Sequence, residues 1–95
     1  MPIVIVHDSP GATQEQYEQV AARLSDGHGL NSPSDWPVDG ILAHVAGPTA
    51  DGWRVVDVWE SEEAFQRFGD VMGPVLQEFG YPGQPQIFEV HHFVK

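Results

Sequence analysis

Residues 53–65 read WRVVDVWESEEAF, a strand pattern that runs directly into the start of a helix. Period-2 alternation predicts a strand over residues 53–59 whose odd-numbered side chains share one face. Ser61 is a preferred N-cap residue, and the two glutamates after it suit the positive end of a helix dipole. We therefore expect a β-strand that ends where an α-helix begins.

The segments on either side extend this pattern. Upstream, Gly47–Gly52 has glycine and proline in turn positions and predicts a turn after an earlier strand over residues 40–46. Downstream, the predicted helix carries an apolar stripe that consists of Phe65, Phe68, Met72, Val75 or Leu76, and Phe79. Gly73-Pro74 predicts a kink or a restart, because proline removes a helix hydrogen bond. Residues 80–83 should end the helix, and a last strand is predicted over residues 86–94.

The N-terminal half repeats the alternation of strand and helix. Ile3–Val6 is an unbroken β-branched run and predicts a strand buried on both faces. Thr13 and Gln16 form a T-x-x-Q capping box, which predicts a helix with an apolar stripe at Tyr17, Val20, Ala21 and Leu24. A loop of Gly, Ser, Pro and Asp follows over residues 25–39. Trp36 within it is interpreted as an aromatic plug for the loop or as a lid over a pocket.

The resulting order is β-α-β-β-α-β, which predicts a single α+β domain over residues 1–95. This split βαβ arrangement gives a ferredoxin-like fold, in which a four-stranded antiparallel sheet carries both helices on one face. The other face stays apolar, because the first strand carries Ile or Val on both sides. Monomers rarely expose such a patch, so we expect a homodimer through the sheet faces.

Composition excludes several classes of function. The 95 residues carry a formal net charge of −10, with 14 acidic and 4 basic side chains, which argues against nucleic acid as a partner. The absence of cysteine excludes disulfides and thiol catalysis. No apolar run is long enough for a membrane span and no signal segment is evident, so we expect a cytoplasmic protein without a membrane partner.

The chain resembles the dimeric α/β barrel superfamily, and within it small proteins of the antibiotic biosynthesis monooxygenase type. The resemblance covers nearly the whole chain in element order and length, and its most specific match is Asp57–Phe65 together with the preceding turn, Gly47–Arg54. It implies a homodimer with a small-molecule pocket between the sheet and the helices of each subunit. Members of this superfamily include cofactor-independent oxygenases, polyketide cyclases, lactone isomerases and haem-degrading enzymes.

Two departures from the family pattern concern its chemistry. The quinone-forming oxygenases use an asparagine and a tryptophan in the pocket, whereas the only asparagine here is Asn31, in the predicted loop. The haem-degrading branch holds iron with a histidine on the second helix, and no histidine lies between Ser61 and Gly80. We therefore expect no cofactor, and the spacing of the histidines predicts no metal site.

The candidate catalytic residues are His44 and Asp57. If Ala46 faces Trp53 across the turn, they become diagonal neighbours on one face of the sheet. A carboxylate beside an imidazole fixes its tautomer and prepares it as a general base, although such a pair also occurs as a purely structural ion pair. The candidate substrate-binding residues are Trp59, Trp53, Phe65, Trp36, Tyr17 and His92.

Two functions follow from these residues. The first is a cofactor-independent enzyme acting on a small aromatic or polyketide-like molecule by oxygenation, cyclisation or isomerisation. The second is a non-catalytic homodimer that binds a ligand or acts as an accessory protein. A pocket with no cavity of about 300 Å³ would favour the second.

Overall fold

The computed structural model describes residues 1–80 and 85–94, and within them the expected βαββαβ order is present. The strands are β1 (Ile3–Pro10), β2 (Ile41–Pro48), β3 (Gly52–Trp59) and β4 (Pro85–Glu89), and the helices are α1 (Gln14–Leu24) and α2 (Glu62–Phe79). All neighbouring strands are antiparallel, in the order β2-β3-β1-β4. The ferredoxin-like α+β fold predicted from sequence is confirmed, with β1 and β3 at the centre of the sheet.

The two helices begin at the residues whose side chains can cap them. Thr13 accepts a hydrogen bond from the Gln16 amide at 3.2 Å, and the Gln16 side chain accepts one from the Thr13 amide at 2.9 Å. Ser61 accepts a hydrogen bond from the Ala64 amide at 3.1 Å. Amides at a helix N-terminus have no partner within the helix, so these bonds fix where α1 and α2 start.

The core lies between the helices and one face of the sheet. Trp59 is fully buried at its centre, with its ring 4.9 Å from that of Phe68 on α2. The other buried members of this core are Ile3, Ile5, Val20, Leu24, Trp36, Ile41 and Ala64. Both helices therefore cover the face that carries the odd-numbered side chains of β3.

Three elements differ from the sequence prediction. β1 continues to Pro10 rather than ending at Val6, because β3 pairs with it as far as Gly52. β4 ends at Glu89 rather than at Val94, because β1 offers no partner before Ile3, and the amide of Val90 bonds instead to the carbonyl of Pro2. The predicted end of α2 falls partly on residues 81–84, which lie outside the described residues.

The third difference is that α2 continues without interruption through Pro74. Proline removes one amide donor from the helix, which leaves the carbonyl four residues earlier, that of Asp70, without its usual partner. Both Asp70 and Pro74 are exposed, so water can satisfy this carbonyl. The predicted restart at Pro74 is therefore wrong.

The sheet face that the helices leave open is lined by apolar side chains. Cross-strand neighbours point to the same face, and the pairs on this one join Val4 to Val58 and Val6 to Val56. Its further apolar members are Ala43, Val45 and Phe88, which pair with Val58, Val56 and Val4. Val45 is 64% exposed and Phe88 is 51% exposed. The second apolar face expected from sequence is thus present, and within residues 1–80 and 85–94 it remains partly open to solvent.

Candidate active site

His44 and Asp57 lie directly opposite each other on β2 and β3. The Nδ1 atom of His44 is 2.6 Å from Oδ1 of Asp57, and the two side chains are only 14% and 8% exposed. A buried carboxylate is costly unless it is paired and hydrogen-bonded. In the neutral imidazole, Asp57 therefore fixes the tautomer in which Nδ1 donates its hydrogen to the carboxylate.

The register that produces this contact differs by two residues from the sequence prediction. Ala46 pairs with Val55, whereas Trp53 pairs with Pro48. A shift of two residues preserves the face of every side chain, so His44 and Asp57 still meet, now as direct rather than diagonal neighbours. A bulge between Ile41 and Ala43 ends this regular pairing.

Tyr17 on α1 completes a chain of three polar side chains. Its hydroxyl lies 2.5 Å from Nε2 of His44. Because Nδ1 donates to Asp57, Nε2 is the acceptor and the Tyr17 hydroxyl is the donor. The Tyr17 and His44 rings are nearly parallel, at an interplanar angle of 13° and a centroid distance of 6.0 Å. Sequence analysis placed Tyr17 on the apolar stripe of α1 without predicting this bond.

Trp36 closes the same site from the loop between α1 and β2. Its ring meets the His44 ring edge-on, with centroids 4.9 Å apart, and the residue is only 9% exposed. Trp36 and His44 also line a second cavity of about 200 Å³ between this loop and β2. The buried tryptophan therefore forms a wall shared by two cavities, an arrangement compatible with either the plug or the lid interpretation.

The first of these two cavities has a volume of about 190 Å³ and lies between the helices and the sheet. Its polar or titratable lining side chains are His7, Tyr17, His44 and Asp57. The rest of the described lining is apolar or glycine and includes Ile5, Val20, Leu24, Phe65, Met72 and Leu76. Within residues 1–80 and 85–94, no lysine or arginine lines this cavity.

The structure brings five of the eight predicted site residues to the cavity wall: Tyr17, Trp36, His44, Asp57 and Phe65. The other three lie elsewhere. Trp59 is enclosed in the core beside Phe68, and Trp53 packs behind Tyr17 at a centroid distance of 5.4 Å. His92 is exposed beyond the end of β4, because that strand stops at Glu89.

Sequence analysis did not include His7 among the site residues, although it lies at the end of the predicted first strand, near the expected mouth of the pocket. It sits in the turn-forming run after Ile3–Val6, which was predicted to lie outside the strand. Because β1 continues through this run, His7 pairs with Val55 and reaches the cavity lining. The only signal that could have placed it there is its shared parity with Ile3 and Ile5.

No three His, Asp or Glu side chains among residues 1–80 and 85–94 converge in a way that would hold a metal ion. Neither α1 nor α2 is both long and apolar enough to cross a membrane. Asn31 bonds within its own loop, donating from its side chain to the carbonyl of His28 at 3.1 Å.

Comparison with solved structures finds the same fold in cofactor-independent oxygenases. SnoaB, a cofactor-independent oxygenase from Streptomyces nogalater, aligns with 98% of this chain and 95% of its own at a TM-score of 0.64 and 14% identity. A single-site variant of SnoaB aligns at a TM-score of 0.65 and 13% identity over the same shares. A candidate monooxygenase from Shewanella loihica PV-4 aligns over 97% of this chain and 96% of its own, at a TM-score of 0.59 and 16% identity.

No family model and no curated protein matches the sequence. At identities of 13% to 16%, the structural likeness concerns the fold alone. The fold that the family resemblance implied is confirmed, since SnoaB has the same fold over almost the whole chain. Any statement about reaction or substrate must come from the site itself.

Proposed function

We propose that this protein is a small-molecule enzyme that removes a proton from a neutral, aromatic or polyketide-like substrate without a cofactor. The observation that carries the proposal is the hydrogen-bonded chain Tyr17–His44–Asp57 in the wall of an apolar cavity. A base oriented by a buried carboxylate at the edge of a pocket is the usual arrangement for general base catalysis. The fold shared with SnoaB supports the same reading.

His44 is the base in this proposal and Asp57 its positioning residue. When the imidazole takes up a proton, its new positive charge lies 2.6 Å from the Asp57 carboxylate. The ion pair is stronger there than in water because the side chains are largely buried. The proton leaves the substrate as H⁺, and the electron pair of the broken bond stays on the substrate as an enolate or phenolate.

The cavity lining selects the class of substrate. No described cation lines the cavity, and the only carboxylate there, Asp57, bonds to His44. A carboxylate or phosphate on the substrate would be buried without a counterion, which is unfavourable. The ligand is therefore neutral and mostly apolar, with one acidic C–H or O–H group directed at the polar side of the cavity.

The substrate anion can then react in more than one way. In an oxygenation, the anion transfers electrons to dioxygen, which is the oxidant. One oxygen atom enters the substrate as a carbonyl, and the other leaves as water with the two hydrogens of the oxidised CH₂ group, so no external reductant is consumed. In a cyclisation or an isomerisation, the same anion attacks a second carbon or is reprotonated at another position, and no oxidant is consumed. Proton removal is the step common to all three, so it is the step to test.

The test uses 2-tetralone, a neutral bicyclic ketone with an activated CH₂ group, and follows its deuterium exchange in D₂O by proton NMR. We expect the protein to accelerate exchange, and His44→Ala and Asp57→Asn to lower the enzymatic rate about 100-fold, the range typical of general base catalysis. Thermal unfolding of each variant is measured in parallel, because breaking a buried ion pair costs about 3–5 kcal/mol.

The matched control is His28→Ala, since His28 is exposed in the loop and outside the cavity. It should exchange 2-tetralone at the wild-type rate. Folded His44→Ala and Asp57→Asn variants that retain the wild-type rate would remove both residues from the mechanism. A wild-type protein that gives only the buffer rate would contradict the proposed function.

One observation favours the second function, a non-catalytic homodimer that binds a ligand. The cavity of about 190 Å³ is below the 300 Å³ or so at which ordinary ligand pockets begin. In that case, 2-tetralone would bind without accelerated exchange. Saturable changes in the amide NMR spectrum, together with exchange at the buffer rate, would identify this outcome.

The homodimer is part of the proposal in either case. The open face carries apolar side chains from all four strands, and neither helix, α1 or α2, covers it. A second copy that packs sheet to sheet about a two-fold axis would bury this face without requiring any other partner. The assembly brings no described residue of the open face into the cavity, which lies on the opposite side of the sheet.

A further inference from the structure

Both ring nitrogens of His44 are already engaged in the structure. Nδ1 bonds to Oδ1 of Asp57 at 2.6 Å, and Nε2 bonds to the hydroxyl of Tyr17 at 2.5 Å. An imidazole has no third nitrogen with which to contact a substrate. If His44 is the ultimate proton acceptor, the proton must either displace Tyr17 from Nε2 or arrive through it.

We propose that Tyr17 is the catalytic residue that contacts the substrate, and that His44 and Asp57 act through it. This inference rests on the proposed function and names the group that receives the proton. The Tyr17 oxygen accepts the substrate proton while its own proton moves to Nε2 of His44. One substrate C–H or O–H bond and one Tyr17 O–H bond break, and a new Tyr17 O–H bond and a His44 N–H bond form.

The charges balance in the same step. The substrate keeps the electron pair and becomes an anion, Tyr17 ends neutral as it began, and His44 becomes an imidazolium. The imidazolium keeps its existing bond to the Asp57 carboxylate, so no buried charge is left without a partner. No oxidant or reductant is needed for the transfer itself.

The position of Tyr17 suits this role. Its side chain lines the cavity, and a hydroxyl that donates its hydrogen to Nε2 still has lone pairs with which to accept another. Its ring packs against those of His44, at a centroid distance of 6.0 Å, and Trp53, at 5.4 Å. A phenol fixed in this way can pass a proton without a change of rotamer.

Direct attack by His44 would need a rearrangement that the relay avoids. The Tyr17–His44 bond would have to break inside a largely buried site, where a polar group without a partner costs about 1–3 kcal/mol. In the relay, each donor and acceptor has a partner before and after the transfer. The two routes make opposite predictions for Tyr17→Phe, which removes the hydroxyl but keeps the ring.

The experiment measures deuterium exchange of 2-tetralone by wild type, Tyr17→Phe, His44→Ala and the double variant, with thermal unfolding of each. For the relay, we expect Tyr17→Phe to lower kcat about 100-fold with KM within about threefold of wild type. The double variant should be no slower than either single variant, because the two side chains act in series. His28→Ala is again the control.

Each other outcome is decisive. If Tyr17→Phe matches or exceeds the wild-type rate while His44→Ala is slow, the substrate contacts Nε2 directly; Tyr17 then has no catalytic role, although the proposed function stands. If the double variant is slower than both single variants by the product of their effects, the serial relay is wrong. Accelerated exchange at the wild-type rate in all folded variants would overturn the relay and remove Tyr17 and His44 from the mechanism, whereas exchange at the buffer rate in the wild type would overturn the proposed function itself.

Discussion

Asp57 is held in place by both of its neighbouring strands. It lies in the middle of β3, a central strand, opposite His44 on β2 and Ile5 on β1. Both neighbouring strands therefore fix its backbone, and its side chain is hydrogen-bonded to the imidazole of His44. A carboxylate placed in this way keeps His44 oriented without help from a mobile loop, which is the preorganisation that proton transfer requires.

A second acidic residue, Asp8, lies on the open face and pairs with Arg54 across the strands. Their side chains form two bonds, Nε to Oδ1 at 2.5 Å and Nη2 to Oδ2 at 2.9 Å. The hydrogen bond from the Arg54 guanidinium lowers the pKa of Asp8 below its ordinary value of 3.8. Because the folded pKa is the lower one, the stabilisation is fully present above the unfolded pKa and is lost as pH falls through the folded pKa.

We predict that carbon-13 NMR will show the Asp8 carboxyl titrating below pH 3.8, and that Arg54→Gln will raise its pKa toward that value. Arg67→Gln is the control, because Arg67 is exposed on α2 and makes no contact with Asp8 among the bonds described. Equal Asp8 titration curves in wild type and Arg54→Gln would show that the ion pair is absent in solution.

The part of the candidate site that depends on the alternation of side chains along a strand was predictable from sequence. His44 and Asp57 could be placed on one face because side chains alternate along a strand, and this result survives a two-residue shift in register. The Tyr17–His44 bond was not predictable, since it depends on how α1 docks on the sheet. The same limit explains why Trp53 and Trp59 do not line the cavity. Both lie on the expected face of β3, but at positions along the strand that are outside the cavity.

At the scale of elements, Gly40 lies where the start of β2 contacts the start of α2. Its carbonyl accepts the amide of Glu60 at 2.9 Å, and its φ of +114° is in a region that side chains rarely adopt. A Cβ atom at this position would lie 2.6 Å from the Cβ of Ala64, which is fully buried. The start of β2 and the start of α2 can approach this closely only because residue 40 has no side chain.

We predict that Gly40→Ala will lower the free energy of unfolding by about 1–3 kcal/mol, through backbone strain and overpacking against Ala64. For a chain of this size, each kcal/mol corresponds to a fall of about 4–8 °C in Tm, measured by circular dichroism. Gly47→Ala is the control, because a Cβ at Gly47 meets nothing within 4 Å. Equal Tm values for the two variants would contradict the close approach.

The elements themselves were predictable where local signals and tertiary pairing agree. The capping box at Thr13 and the N-cap at Ser61 placed both helix starts correctly. Local signals gave the wrong strand ends where the neighbouring strand sets the length. Pairing with β3 includes His7–Pro10 in the sheet despite their turn propensity, and β4 stops where β1 ends. Strand length is a property of the pair, so one strand's sequence cannot set it.

At the scale of the whole molecule, the two faces of the sheet differ in how they are covered. One face is covered by α1 and α2 and contains the cavity, while the other exposes valine and phenylalanine side chains. Because the two faces share the same central strands, a partner bound to the open face would also restrain β1 and β3, which carry His7 and Asp57. Dimerisation would then stiffen the site without contributing a described residue to it.

The last prediction concerns this open face and uses Val45→Glu. Val45 is 64% exposed in the single chain, so the substitution should change the stability of the subunit by no more than about 0.5 kcal/mol. In a sheet-to-sheet dimer, the same carboxylate would be buried, and Arg54 on this face already pairs with Asp8, so the burial is strongly unfavourable. Light scattering should give twice the 10.5 kDa chain mass for wild type and a mass near 10.5 kDa for the variant.

Val71→Glu is the matched control, since Val71 is 39% exposed but lies on α2, away from the open face. It should remain dimeric, which would show that the position of the charge matters and not its presence. A wild-type mass of 10.5 kDa would mean that the apolar face stays uncovered. A Val45→Glu variant that stays dimeric would mean that the copies pair through another surface, because an unpaired carboxylate cannot remain between two packed sheets.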